Sequence, residues 1–156
     1  MEKQVDILII GAGISGIGLA VHLSKNCPQR KFEILERRDS FGGTWDLFRY
    51  PGIRSDSDMS TFGFNFKPWQ KANVLADGAS IKGYVAEVVD EYKLNDKIHF
   101  QHRVLSANYD SATKKWTVQI EDGEQKVQTW IANFVIGCTG YYNYDQGYQP
   151  DYPGTN

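Results

Sequence analysis

The sequence predicts an α/β fold: a parallel sheet with helices packed on it and a small antiparallel β-meander inserted. Three observations carry that prediction. An apolar run of strand length at residues 5–10 ends on glycine, then leads into helically spaced apolar residues and a second short strand. A second amphipathic helix follows a long aperiodic stretch. Finally, three alternating segments separated by turn residues precede another buried-type strand.

Val5-Asp6-Ile7-Leu8-Ile9-Ile10 is almost continuously apolar, as a strand buried on both faces of a parallel sheet must be. From Ile14 through Leu19, Ala20 and Leu23 the apolar residues recur at helical spacing, and Asn26-Cys27-Pro28 stops the helix. Phe32-Glu33-Ile34-Leu35-Glu36 is a second strand, so residues 5–36 form a βαβ unit, whose crossover is right-handed in nearly all proteins. Residues 37–73 show no sustained period and carry Gly42, Gly43, Pro51, Gly52, Gly63 and Pro68; a connection this long is uncommon unless functional. Its aromatics, Phe41, Trp45, Phe48, Tyr50, Phe62, Phe64, Phe66 and Trp69, are too many for a solvated linker. Something flat and apolar, or a partner domain, is expected to cover them.

Ile81, Tyr84, Val85, Val88, Val89 and Tyr92 mark one face of a helix over about residues 80–92. Segments at 104–109, 116–120 and 127–131 alternate and are separated by Asp110-Ser111 and Asp122-Gly123, giving a meander over 104–131. Phe134-Val135-Ile136-Gly137-Cys138 reads as a separate return strand, and residues 141–156 are rich in Tyr, Gly and Pro.

The composition narrows the class of function. Over 156 residues, 17 Lys+Arg stand against 19 Asp+Glu for a net charge of −2, with no long basic run, so nucleic acid is not an expected partner. Cys27 and Cys138 have no Cys-x-x-Cys spacing, which argues against a metal site, a redox dithiol or a disulfide framework and favours the cytoplasm. The apolar N-terminal stretch is no transmembrane segment, being interrupted by Asp6 and by Gly11, Gly13, Gly16 and Gly18. His22, His99 and His102 read as structural or exposed side chains, and Trp116 and Trp130 as packing residues.

Gly11-Ala12-Gly13-Ile14-Ser15-Gly16 lies between a strand and a helix, the context in which this pattern is a dinucleotide fingerprint of a Rossmann-like fold. The first glycine permits the tight turn, the second lets backbone approach a pyrophosphate, and the third lets helix and strand pack closely. Helix N–H groups then face the phosphates, and Ser15 can add a hydroxyl donor. Glu36 ends the second strand about twenty residues further on, where an acid accepts hydrogen bonds from ribose hydroxyls and disfavours a 2′-phosphate. FAD and NAD share this fingerprint, and these residues alone leave both open. Asp56 and Asp58, flanking Ser57, read equally well as caps of a following turn.

Gly42-Gly43-Thr44-Trp45, continued through Arg49-Tyr50-Pro51-Gly52-Ile53-Arg54-Ser55-Asp56-Ser57-Asp58-Met59, resembles the Baeyer–Villiger and flavin-containing monooxygenases, FAD- and NADPH-dependent flavoproteins. The likeness is strongest to the ethionamide-activating branch, and it continues through Phe64-x-Phe66-x-Pro68-Trp69 and Cys138-Thr139-Gly140-Tyr141-Tyr142-Asn143-Tyr144. The resemblance implies that NADPH reduces FAD, that reduced flavin captures O₂ as a C4a-peroxide, and that oxygen is then inserted beside a ketone or aldehyde carbonyl or transferred to sulfur or nitrogen of a small organic substrate. It implies FAD contacts at Gly11, Gly13, Ser15, Gly16, Glu36, Thr44, Trp45, Asp46, Leu47, Asp56 and Val104, and NADP contacts at Arg54, Ser55 and Asp56. By the same match Asp56 orients a catalytic arginine that lies outside this chain.

The chain departs from that family in extent. It holds neither a second Gly-x-Gly-x-x-Gly nor the family's Phe-x-Gly-x-x-x-His-x-x-x-Trp fingerprint. Residues 1–156 are therefore expected to be the N-terminal segment of a discontinuous FAD-binding domain, with the NADPH domain and the C-terminal part of the flavin domain supplied by the remainder of the enzyme. Such a segment alone is expected to bind flavin weakly and not to turn over. The alternative is a non-catalytic dinucleotide-binding or interaction module.

Overall fold

The computed structural model describes residues 2–154. Strand β1 (Lys3–Ile10) runs into helix α1 (Ile14–Asn26) and strand β2 (Phe32–Leu35). Two single helical turns, α2 (Thr44–Leu47) and α3 (Met59–Phe62), punctuate the aperiodic loop, and helix α4 (Gly78–Glu91) follows. A 3-10 turn (Asn95–Lys97) leads to the short strand β3 (Ile98–His99), then β4 (Arg103–Asp110), β5 (Lys115–Glu121) and β6 (Val127–Gly137). Helix α4 starts where Asp77 caps it, its carboxylate accepting the Ser80 N–H at 2.7 Å.

All six strands share one mixed sheet in the order β3-β2-β1-β6-β5-β4. β3, β2, β1 and β6 are parallel, while β5 and β4 continue the sheet antiparallel. The third meander segment and the separately expected return strand are one strand. β6 pairs antiparallel with β5 through residues 127–132 and parallel with β1 from Trp130 to Gly137. The reason is local: Ala132-Asn133 carries no turn signal, and Asn133 Nδ2 donates to Asp6 Oδ1 at 3.0 Å, holding the strand in register against β1. β3 was not separable in the sequence; two residues hold no period, and its pairing with Ile34 and Leu35 defines it.

Both helices pack on one side of the parallel strands, where Ile17, Ala20, Val21, Val85, Val88 and Val89 meet Ile7, Ile9 and Ile34. On the other side Val5, Leu8 and Leu35 pack with Val118, Ile120, Trp130 and Ala132. Most aromatics of the loop are partly covered by the chain's own residues. Phe64 stacks on Phe66 at 4.7 Å between ring centres and lies so close to Gly18 that a Cβ there would sit 2.6 Å from its ring. The Tyr84 hydroxyl accepts the Phe64 N–H at 2.7 Å and donates to the Lys67 carbonyl at 2.6 Å, and burial pushes its pKa up. Trp45 meets Phe62 edge-on above the Met59, Ala76 and Ile81 cluster, whereas Tyr50 stays exposed. Among the described residues no helix is long and apolar enough to cross a membrane.

Candidate functional site

The parallel strands point their C-terminal ends at one cavity of about 550 Å³, where ligands of open α/β sheets bind. Gly11, Gly13 and Ser15 form one wall, Gly42, Gly43, Thr44 and Trp45 a second, and residues 138–144 after β6 a third; Glu36, Arg37, His102, Arg103 and Val104 close the end.

The three glycines of the first wall differ in what demands them. Gly11 has φ +107°, a left-handed value, and a Cβ on it would lie 2.5 Å from the Cys138 carbonyl oxygen. At Gly16 a Cβ would lie 2.0 Å from the Gly11 oxygen, so helix and turn touch backbone to backbone. Gly13 is different. Its φ of −76° and ψ of −175° suit any residue, and a Cβ there would meet only Gly43 Cα, at an ordinary 3.7 Å. Neither backbone conformation nor packing among the described residues excludes a Cβ at this position, which faces the cavity. Helix α1 begins at Gly13 without a side-chain cap or an acid in its first turn, leaving its leading N–H groups and positive dipole end for an anion.

Glu36 is buried at the cavity end. Its Oε2 accepts the Ala12 N–H and its Oε1 the Arg38 N–H, each at 2.9 Å, which ties the end of β2 to the glycine turn. Each oxygen keeps a lone pair for a further donor. The second wall is joined to the first by the Gly42 N–H, which donates to the Ala12 carbonyl at 2.9 Å. Behind it lies Asp46, buried to 2% exposure and held by Arg38 Nη2 at 2.6 Å, Arg49 Nη2 at 3.3 Å and Lys82 Nζ. Burial alone would raise its pKa, but the Lys82 hydrogen bond and the Arg38 and Lys82 charges outweigh that and hold the carboxyl below its ordinary value.

Of the residues singled out in the sequence, Gly11, Gly13, Ser15, Glu36, Thr44, Trp45 and Val104 line the cavity together. Gly16, Asp46 and Leu47 do not line it; they support its walls from behind. Arg54, Ser55 and Asp56 also lie outside the lining. Arg54 pairs with Asp77 through backbone alone, in an isolated antiparallel β-bridge, and the buried Ser55 hydroxyl donates to the Ser57 carbonyl at 2.8 Å. Asp56 is exposed. Asp58 caps α3, accepting the Thr61 N–H at 2.9 Å. The sequence reading missed Arg37, His102, Arg103 and Cys138. The rule that ligands sit beyond the ends of parallel strands would have pointed to Cys138, which follows β6.

Residues 9–77 match the family described as an NAD(P)-binding Rossmann-like domain. Over 153 residues, 98% of its length, the chain is 81% identical to a "Probable FAD-binding monooxygenase AlmA" of an Acinetobacter species, of which the match spans 31%. It is 54% identical over 157 residues to "FAD-containing monooxygenase EthA" of Mycolicibacterium smegmatis, covering 32% of that protein. Its fold matches the crystal structure of cyclohexanone monooxygenase from Rhodococcus sp. Phi1 bound to NADP+, with a TM-score of 0.81 and 29% identity over 99% of this chain and 29% of that one. The chain is similar over nearly its whole length to the N-terminal part of FAD-binding monooxygenases, with Baeyer–Villiger monooxygenases among its structural neighbours, and spans 31–32% of the length of the relatives named here.

Proposed function

We propose that this chain is the FAD-binding portion of an NADPH-dependent flavin monooxygenase of the cytoplasm, acting with O₂ on a ketone or aldehyde, or on sulfur or nitrogen, of a small organic substrate. The observation that carries the proposal is Gly13, a glycine that lines the cavity and that neither backbone conformation nor packing requires. A pyrophosphate lying against that bare backbone accounts for it, with the uncapped N–H groups of α1 as donors. In this reading Glu36 takes the ribose hydroxyls, Val104 borders the adenine, and Thr44 and Trp45 face the flavin. Arg54, Ser55 and Asp56 lie toward the nicotinamide cofactor, and Asp56 orients an arginine supplied by the rest of the enzyme. Bound FAD, once reduced by NADPH, supplies the activation of O₂; this chain's residues hold and orient the cofactor.

The test separates fold from ligand. Gly13→Ala should keep the thermal midpoint within a few degrees, since the position tolerates a Cβ, while the weak FAD binding seen by flavin fluorescence is lost. An alanine variant that keeps full FAD affinity would overturn the assignment. The 156-residue chain with FAD and NADPH should show no NADPH-dependent oxygen uptake; robust turnover would defeat the reading of it as a portion.

A further inference from the structure

Five hydrogen bonds close a circuit behind the cavity walls. The Ala12 N–H donates to Glu36 Oε2 and the Arg38 N–H to Glu36 Oε1. The Arg38 guanidinium donates to Asp46 Oδ2, the Asp46 N–H donates to the Gly43 carbonyl at 3.1 Å, and the Gly42 N–H returns to the Ala12 carbonyl. The circuit therefore joins the phosphate turn, the ribose acid and the Gly42-Gly43 turn. Arg38 is its bridge, reaching Glu36 with its backbone and Asp46 with its side chain. Among the described residues Asp46 is the carboxylate paired with Arg38, Arg49 and Lys82, and Lys82, from α4, also reaches Ser40 Oγ at 3.3 Å. Arg38 Nη1 is buried with no hydrogen-bond partner among the described residues, so Asp46 is what the guanidinium has to neutralise it.

We propose that Asp46 is a positioning residue: through Arg38 and the Gly42-Gly43 turn it sets the geometry of Glu36 and of the phosphate turn without touching the cofactor. This rests on the reading that the cavity holds an ADP-containing dinucleotide. Charged hydrogen bonds in a buried network hold the groups they join, and loss of one charged member releases the rest.

The experiment pairs amide hydrogen exchange with FAD titration of the full chain. In Asp46→Asn, exchange at the Ala12, Arg38 and Gly42 amides should quicken about tenfold or more while the interior amides of α1 and β6 keep their rates. FAD affinity should fall about tenfold or more, because the cradle loses its preset shape. Adding Lys82→Met, which removes one of the cations left unneutralised, should restore part of that affinity. If Asp46→Asn does not fold, Arg38→Lys, which keeps the charge but loses the planar fork, should give the same local pattern. A uniform rise in exchange across the sheet, or unchanged exchange at those three amides, overturns the positioning role. If the unaltered chain binds no FAD, the dinucleotide reading fails, and the exchange pattern still decides whether Asp46 braces the turns.

Discussion

The two glycine turns that wall the cavity keep their shapes by different forces. The Gly11 to Gly16 turn is held sterically: a carbonyl sits where each flanking glycine would carry its Cβ, at 2.5 Å for Gly11 and 2.0 Å for Gly16. The Gly42-Gly43 turn also uses left-handed φ values, +110° and +55°, but it is anchored from behind by Asp46 and its three cations. A steric wall fails abruptly when one methyl is added and ignores pH. An electrostatic wall softens gradually as its anion is protonated.

The largest effect should come from the steric wall. Gly16→Ala puts a carbon 2.0 Å from the Gly11 backbone oxygen, in the turn that follows β1, so a loss of about 4 kcal/mol or more is expected in urea denaturation. An unchanged urea midpoint would show that the turn is not held by contact.

The second wall should answer to acid. The Asp46 pKa in the folded chain is depressed below its unfolded value, so its stabilising contribution is present above the ordinary carboxylate range and is lost as pH falls through the depressed value. On acidification from pH 7, the urea midpoint of the unaltered chain should fall more steeply than that of Asp46→Asn, which starts about 3 kcal/mol lower. Parallel curves would remove Asp46 from the account. Exposed acids with lowered pKa values, such as Asp77 and Asp110, contribute equally to both curves and cancel.

The smallest effect should come from charge at the surface. Arg37 makes a two-pronged contact to Asp145 at 2.8 and 3.2 Å across the cavity mouth, yet the Asp145 side chain is 71% exposed. Asp145→Asn is expected to cost less than about 1 kcal/mol. A loss as large as that of Asp46→Asn would mean that burial is not what separates the two ion pairs.

What the sequence revealed follows the same division. The glycine turn and Glu36 were legible because their signals are local: spacing, flanking strands, one acid at the right distance. The electrostatic wall was not, since Arg38, Asp46 and Lys82 come from separate elements and meet only when α4 packs beneath the loop. The partners of the aromatic loop were hidden for a related reason. Its composition announced contact, but only the fold shows that α1 and α4 provide part of the cover, through contacts such as Phe64 on Gly18. β6 was read as two pieces because its apolar pattern changes where its neighbours change, with no break in its backbone.

The double pairing of β6 also sets an order of assembly. Its hairpin with β5 closes over a few residues, whereas its parallel ladder with β1 joins positions such as Ile7 and Phe134, and contacts so distant in the chain form late. The Cys138 N–H that binds the Ile10 carbonyl at 2.7 Å, and the Cys138 carbonyl that crowds Gly11, arrive only with that ladder. During refolding the glycine-walled cavity is thus expected among the last features to appear, and a ligand held there would tell a finished chain from one merely rich in hairpins.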